Sequence, residues 1–181
     1  MNLSEIKERV YALIEELNPD SEYLTDDVDY RAKINYCIDS IQNELARIKR
    51  IARVETMNVK KGDSINLYEE LQNFYKLGKI EGVNYDIFNN IVTFEEDGKV
   101  NIYYYKYPKK ITADTKDEEY KFELSQDVLE IMPYGVAGDL LKADISAQYG
   151  QVYTNAYNQA LQRLDISTSD TTYQIVGGID V

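Results

Sequence analysis

The residues with the most potential for chemistry in this 181-residue chain are its acids, because 32 of its side chains are Asp or Glu. Two carboxylates that lie close together can act as general acid and general base. With so many acids, neighbouring pairs arise throughout the sequence, and no pair is singled out by its position. We therefore predict no catalytic residue and no enzymatic activity.

A run of aspartates is the strongest candidate for a cation site. The segment Asp26-Asp27-Val28-Asp29 has acids like those of a calcium loop, but it lacks the glycine and the terminal Glu of such a loop. Asp and Thr also gather at helix starts, where they accept hydrogen bonds from free backbone N–H groups. Helix capping is the preferred interpretation, and no metal site is predicted.

Histidine is absent from the chain, and Cys37 is its only cysteine. This composition excludes zinc sites, Ser-His or Cys-His nucleophiles and an intrachain disulfide. The pair Gly177-Gly178 is not a phosphate-binding loop, because it lacks the strand, the GxGxxG context and the following helix that such a loop needs. No cofactor is predicted.

The net charge of −12 at pH 7 disfavours broad attraction to nucleic acid or to anionic lipid. Residues 31–61 are the cationic exception, with eight bases and three acids. There Arg47, Arg50 and Arg53 form a contact for another subunit, an acidic partner or a phosphate backbone, or they balance the dipole of a helix C-terminus and the acids of the first helix. Both interpretations stay open.

Two further segments are candidates for partner binding. Lys109 and Lys110 open a charged loop, 109–119, that follows Pro108. Close to residue 181, a polar tether leads to an alternating segment whose candidate contacts are Tyr173, Ile175, Val176 and Ile179. This segment either adds a strand to a neighbouring protein by edge pairing or remains a disordered tail.

Helices are predicted on both sides of a central β region. Apolar residues that recur every three or four positions predict four of them, at about 2–17, 26–54, 126–149 and 151–164. Asn2 and Glu5 are placed to form a capping box at the start of the first helix. Pro133 is expected to start or kink the third helix, and Gly150 is expected to divide the third from the fourth.

Strands are predicted within 64–124, where β-branched and aromatic residues alternate with polar ones. A polar turn joins Ile91–Phe94 to Val100–Tyr105, so we expect these two strands to form an antiparallel hairpin. A short edge strand is expected at Tyr120–Leu124.

The predicted fold class is α+β and mostly helical. It comprises an N-terminal helix pair, a small central antiparallel β-sheet, two C-terminal helices and an extended C-terminal tail. Residues 1–165 are expected to form a single domain, and residues 166–181 the tail.

The C-terminal half resembles the head-tail connector proteins of tailed phages, also called portal adaptors. One part of the resemblance is a tyrosine-rich strand that ends in Pro108, followed by Ile111-Thr112-Ala113-Asp114-Thr115. The other part is the helical sequence from Ala137 to Asp144 and from Tyr153 to Leu161, which is similar to the "A-x-x-L…D…Y-x-x-A/E-Y-x-x-A-L" ending of that family. The resemblance covers roughly residues 80–165.

The resemblance implies a structural protein of the phage neck, found in the virion at the head-tail interface and made in the host bacterial cytoplasm. It implies a homo-oligomeric ring of about twelve copies that binds the portal protein and extends the DNA channel. The ring would join the head to the next neck or tail protein, a stopper or tail terminator. Genomic DNA would pass through the channel without sequence-specific binding, and no membrane partner is expected.

Two other functions stay open on the sequence. A tail-completion or baseplate subunit would share the small α/β size and the interface-rich composition. A cytosolic acidic binding module would share the negative charge, and a stable monomer would distinguish it.

Overall fold

The computed structural model describes residues 1–14, 28–142 and 147–168. Helix α1 spans Leu3–Leu13 and begins with the predicted capping box, in which Asn2 Oδ1 accepts a 2.9 Å hydrogen bond from the Glu5 N–H. The Glu5 carboxylate accepts in turn from the Asn2 N–H, at 3.2 Å. Both bonds satisfy N–H groups that have no partner within the helix.

Four long helices form a bundle at the two ends of the chain. They are α1, α2 (Val28–Ile48), α4 (Gln126–Leu141) and α5 (Ala147–Thr168), with Pro133 inside α4. Helix α4 contacts the other three, and its buried residues join the apolar stripes of α1 and α2 in one core. Among the described residues, no helix is both long and apolar enough to cross a membrane.

The predicted helix at 26–54 is too long at its C-terminal end. Helix α2 stops at Ile48, and the chain continues as strand β1, Ile51–Val59. The helical spacing of apolar residues continues through Ile51 and Val54, but β1 is rich in β-branched side chains, which favour an extended backbone. Arg53 therefore lies on a strand and not on the end of a helix.

The prediction that Gly150 divides two helices is wrong, because Gly150 lies inside α5. Its lack of a side chain serves packing: a Cβ there would lie 3.2 Å from the Cβ of Leu141. Helix α5 also continues to Thr168, so the first three residues of the predicted tail are helical. Residues 15–27, 143–146 and 169–181, with the predictions made for them, lie outside the described residues.

The central region forms two three-stranded antiparallel sheets. One has the strand order β1-β6-β3, with β6 at Gly98–Lys106 and β3 at Phe74–Glu81. The other has the order β2-β5-β4, with β2 at Ser64–Asn66, β5 at Ile91–Phe94 and β4 at Tyr85–Phe88. A single helical turn, α3, spans Leu67–Glu70. Both sheets contribute to one apolar core that is separate from the helical core, so the region is a small β-sandwich.

The predicted hairpin between Ile91–Phe94 and Val100–Tyr105 is wrong. Both segments are strands, but β5 pairs with β2 and β4, whereas β6 pairs with β1 and β3. Phe94 and Val100 are buried in the shared core, so the turn between them crosses from one sheet to the other. The hairpin on this side is β4–β5, closed by Asn89 and Asn90 with φ of 48° and 66°.

Residues 107–124 run back along the bundle without a regular strand. The predicted edge strand at Tyr120–Leu124 is reduced to one bridge, between Lys121 and Asn2. Tyr120 is buried, and its hydroxyl lies 2.9 Å from Gln42 Oε1 on α2. The Asp39 carboxylate, also on α2, accepts a 2.7 Å bond from the Ile111 N–H. These polar contacts hold the segment against α2.

Candidate interaction surface

The outer face of the β1-β6-β3 sheet is the side turned away from the sandwich core. Along β6, Val100, Ile102 and Tyr104 are buried in that core. Tyr103 and Tyr105 alternate with them, so their side chains leave the strand on the outer face, where both are half-buried. Within the described ranges, no second layer of structure covers them.

A groove of about 630 Å³ crosses this outer face. Its floor contains Tyr103 and Tyr105, and its rim on the edge strand contains Ala52 and Val54. Val54 lies opposite Tyr103 in the register and is 47% exposed. We refer to this feature, lined by Ala52, Val54, Tyr103 and Tyr105, as the tyrosine groove.

Gly78 opens one side of the tyrosine groove. It sits at a register shift between Leu77 and Lys79 in β3, and a Cβ added to it would lie 2.9 Å from the Tyr103 carbonyl oxygen. Such a distance is too short for a real side chain, so a larger residue would push β3 away from β6. Glycine therefore keeps the two strands close while leaving space above the tyrosine rings.

Cations lie over the rings of the tyrosine groove. The Arg50 guanidinium carbon lies 5.1 Å from the centroid of the Tyr105 ring, and Lys79 Nζ lies 4.7 Å from that of Tyr103. Both distances are within the range of a cation–π attraction. Lys76 is exposed and pairs with Tyr105 in the register, so it adds a third positive charge beside the groove.

Glu81 compensates one of these charges. Its carboxylate lies 2.6 Å from Lys79 Nζ. The hydrogen bond from Lys79, followed by one from Tyr103, lowers the pKa of Glu81, and the same bond to Glu81 raises the pKa of Lys79. Both side chains are exposed and remain charged at neutral pH. The border of the groove therefore carries more positive than negative charge.

A second exposed apolar feature lies on the other sheet. Ile87 is 42%, Phe88 is 74% and Ile91 is 46% exposed, at the closed end of the β4–β5 hairpin. Phe88 and Ile91 are direct register partners, and the neighbour of Ile91 in β5, Val92, is buried. Phe88 and Ile91 consequently point away from the sandwich core. We call Phe88 and Ile91 the apolar tip; Ile87, which pairs with the buried Val92, lies on the other face of the sheet.

Acidic side chains surround the apolar tip. Asn66 pairs with Ile91 across β2 and β5, and its side-chain amide donates a 2.9 Å bond to Glu69. Glu69 and Glu70 are exposed on α3, and Asp86 is exposed on β4. The tip thus has a negative border, opposite in sign to the border of the tyrosine groove.

The structure brings two of the three predicted arginines to the tyrosine groove. Arg50 stacks over Tyr105, and Arg53 borders the groove from β1. Arg53 is opposite the buried Tyr104 in the register, so its side chain starts on the core face of β1. Because β1 is an edge strand, this side chain remains exposed. Arg47 is exposed in the last turn of α2 and does not line the groove.

The predicted partner-binding lysines lie elsewhere. Lys109 is exposed, but its carbonyl accepts a 3.0 Å bond from Gln42 Nε2 and its N–H donates to Glu123 at 3.2 Å. Lys110 is exposed and borders a second cavity, of about 490 Å³, between the bundle and the sandwich. The four predicted contacts of the last segment, Tyr173, Ile175, Val176 and Ile179, lie outside the described residues.

Tyr103, Tyr105, Val54 and the apolar tip were not predicted as site residues. The alternation in Val100–Tyr105 carries the signal for the two tyrosines, since every second residue of a strand shares a face. Val54 could not be recognised while its segment was assigned to a helix. The tip could have been found from Asn89-Asn90, which favours a tight hairpin turn between Phe88 and Ile91.

The described part of the chain contains no cluster of three or more Cys, Asp or Glu side chains that could hold a metal ion. Asp39, which borders the second cavity, is engaged by Gln42, Asn43 and the Ile111 N–H. Neither a protein-family model nor a curated protein matches the sequence.

Proposed function

We propose that this protein is a structural subunit of the neck of a tailed phage. In this role it binds the portal protein as a ring, extends the DNA channel and joins the head to the next neck or tail protein. The protein acts through surfaces and carries out no reaction. The proposal places it in the virion at the head-tail interface.

The observation that carries the proposal is the uncovered outer face of the β1-β6-β3 sheet. Tyr103, Tyr105 and Val54 present aromatic and apolar area to water there. Contiguous apolar surface with a polar border marks a protein contact, and Tyr and Arg are enriched in such contacts. A subunit that is built into a larger particle needs surfaces of this kind.

The charge distribution supports the same role. The net charge of −12 disfavours adhesion to the phosphate backbone, which suits a channel through which DNA slides. The cations described above are placed over aromatic rings, and this arrangement serves protein contacts as well as it would serve phosphate. The resemblance of residues 80–165 to head-tail connectors points to the neck in particular.

Mass measurement and electron microscopy of the pure protein, alone and mixed with the portal protein of the same phage, test the proposal. The expected result is a closed ring on the portal, whether or not the protein is monomeric alone. A protein that never associates with the portal would contradict the proposal. A copy number and position in the particle that fit the baseplate or tail would identify the alternative virion role.

A further inference from the structure

The tyrosine groove and the apolar tip are complementary in character. The groove is concave and aromatic, and the cations on its border, Arg50, Lys76 and Lys79, outnumber the one acid there, Glu81. The tip is convex and apolar and has a border of acids, Glu69, Glu70 and Asp86. The two surfaces therefore match in shape and hydrophobicity, and their borders carry charges of opposite sign.

One copy cannot bring these two surfaces together. The tyrosine groove lies on the outer face of β1-β6-β3, and Phe88 and Ile91 lie on the outer face of β2-β5-β4. These two faces point in opposite directions, since the sandwich core separates them. A contact between the groove and the tip therefore joins two molecules.

We propose that the apolar tip of one copy inserts into the tyrosine groove of a second copy. The proposal rests on the ring of the proposed function and deepens it by naming the contact between neighbouring subunits. Phe88 would lie against Tyr103 and Tyr105, and the acids of the tip border would face the cations of the groove border.

Contacts between two different surfaces are head-to-tail, and they propagate until the rotation closes a ring. Both surfaces lie at the end of the sandwich where Phe74 pairs with Lys106. On the groove side, the pair next to Lys106 is Ala52 with Tyr105. On the tip side, α3 adjoins the tip, since the Leu67 N–H donates to the Asn90 carbonyl. The same helix contacts Phe74 through Tyr68. Surfaces at the same level favour a flat ring over a filament.

Cysteine trapping tests the contact directly. In a Cys37→Ser background, one chain carries Val54→Cys and another carries Asp86→Cys, which keeps Phe88 in place on the same face of β4, and a short bismaleimide is added to the mixture. The expected product is a dimer that contains one chain of each kind. A chain that carries both cysteines should give a ladder of multimers and closed rings.

The matched control pairs Asp86→Cys with Gln151→Cys, which places an exposed thiol on α5 of the bundle. No product above background is expected from this pair, nor from Val54→Cys alone or Asp86→Cys alone. Equal yields from the control and test pairs, or no mixed product at the highest soluble concentration, would overturn the contact.

Complementation provides a second test. Phe88→Ser removes the tip and Val54→Glu places an acid in the groove, both at exposed positions where folding is preserved. Each variant alone should need at least about tenfold more protein than wild type for self-association. Mixed, they should form dimers and stop there, because only one intact tip and one intact groove can meet.

The outcomes separate this contact from the neck role. If both variants still form wild-type rings on the portal, the contact is wrong and the neck role stands. If wild type never binds the portal but the cysteine pair is trapped between copies, the contact stands and the neck role falls. Thermal unfolding of each variant checks that the exposed substitutions leave the fold intact.

Discussion

Lys106 Nζ lies 2.6 Å from the Glu123 carboxylate, and this ion pair joins the last residue of β6 to the segment that returns along the bundle. The Lys106 side chain is almost fully buried, whereas Glu123 keeps partial access to solvent. Loss of either partner leaves the other charge in a poorly solvated place. The pair therefore links the sandwich to the helical part of the molecule.

Replacement of Lys106 by Ala is expected to lower the free energy of unfolding by about 2–3 kcal/mol. The replacement leaves the Glu123 carboxylate without its cation and removes the buried methylene groups of Lys106. Glu123→Gln should cost less, since its amide oxygen can still accept a hydrogen bond from Lys106. Urea unfolding of both single variants and the double variant gives the coupling energy. A coupling near zero would show that the two side chains are independent.

Because Tyr120 is buried, we predict that the protein loses stability at alkaline pH. Burial raises the pKa of Tyr120 to about 12, above the value of about 10 for a free tyrosine. Below pH 10 both the folded and the unfolded chain keep the proton, so the contribution of Tyr120 is fully present. Between pH 10 and 12 the unfolded state ionises first, and up to about 2–3 kcal/mol is lost.

Tyr120→Phe checks this assignment. At pH 8 the variant should be less stable by about 1–2 kcal/mol, because it loses the hydroxyl that donates toward the Lys109 carbonyl and Gln42 Oε1. The stability gap to wild type should shrink between pH 10 and 12, as measured by urea unfolding. Burial also raises the pKa of Tyr157, so part of the alkaline loss will persist in the variant. A gap that stays constant over this range would refute the assignment to Tyr120.

Gly138 marks the closest approach of α4 and α5. A Cβ there would lie 2.7 Å from Thr154 Oγ1 and 3.2 Å from the Thr154 backbone nitrogen. Gly138→Ala, which would favour an ordinary helix, should here destabilise by about 1–3 kcal/mol because the two helices must separate. Thr154→Ala should recover part of this loss in the double variant. Thermal unfolding of the four proteins measures both effects, and an alanine variant as stable as wild type would disprove the tight contact.

Asn90 has a left-handed backbone in the β4–β5 turn, with φ of 66°. Asn90→Gly should be neutral or stabilising by a few tenths of a kcal/mol, whereas Asn90→Val should cost about 1–2 kcal/mol, since a β-branched residue resists this conformation. The two variants serve as controls for each other in urea unfolding. Equal stability of both would contradict the turn geometry.

Removal of residues 169–181 tests the proposed strand addition by the segment Tyr173–Ile179. We expect weaker binding to the portal or to the adjoining neck protein, because a segment that adds a strand would supply backbone hydrogen bonds and alternating apolar contacts. Pull-down with the purified portal and with the next neck protein measures the effect. Unchanged binding to both would exclude a docking role for this segment.

The α+β fold class was predictable because apolar spacing and strand alternation are local signals. The boundary at Ile48 was not, since a strand that starts two residues after a helix repeats some of its apolar spacing. Strand pairing could not be predicted from the sequence either. Both β5 and β6 were predicted as strands, but their partners depend on the burial of Phe94 and Val100 in a common core. Tertiary packing decides such choices.

The residues of the interaction surface were likewise predictable only in part. Arg50 was found as a candidate because charge is visible in composition, but its place over Tyr105 depends on the two-residue break between α2 and β1. Lys79 was not predicted as a site residue, because its place beside the groove depends on its register with Tyr103. Local patterns identify residues that can contact a partner, and strand pairing determines which of them share one face.

The register of β1 with β6 pairs Ile51 with Lys106, so the chain enters and leaves the sandwich at adjacent points. A module attached in this way is an insertion between two helices, and its points of attachment stay the same whatever lies between them. Related chains could exchange, enlarge or trim the sandwich while α1, α2, α4 and α5 keep their packing. The outer surface of the sandwich can consequently evolve separately from the bundle that carries it.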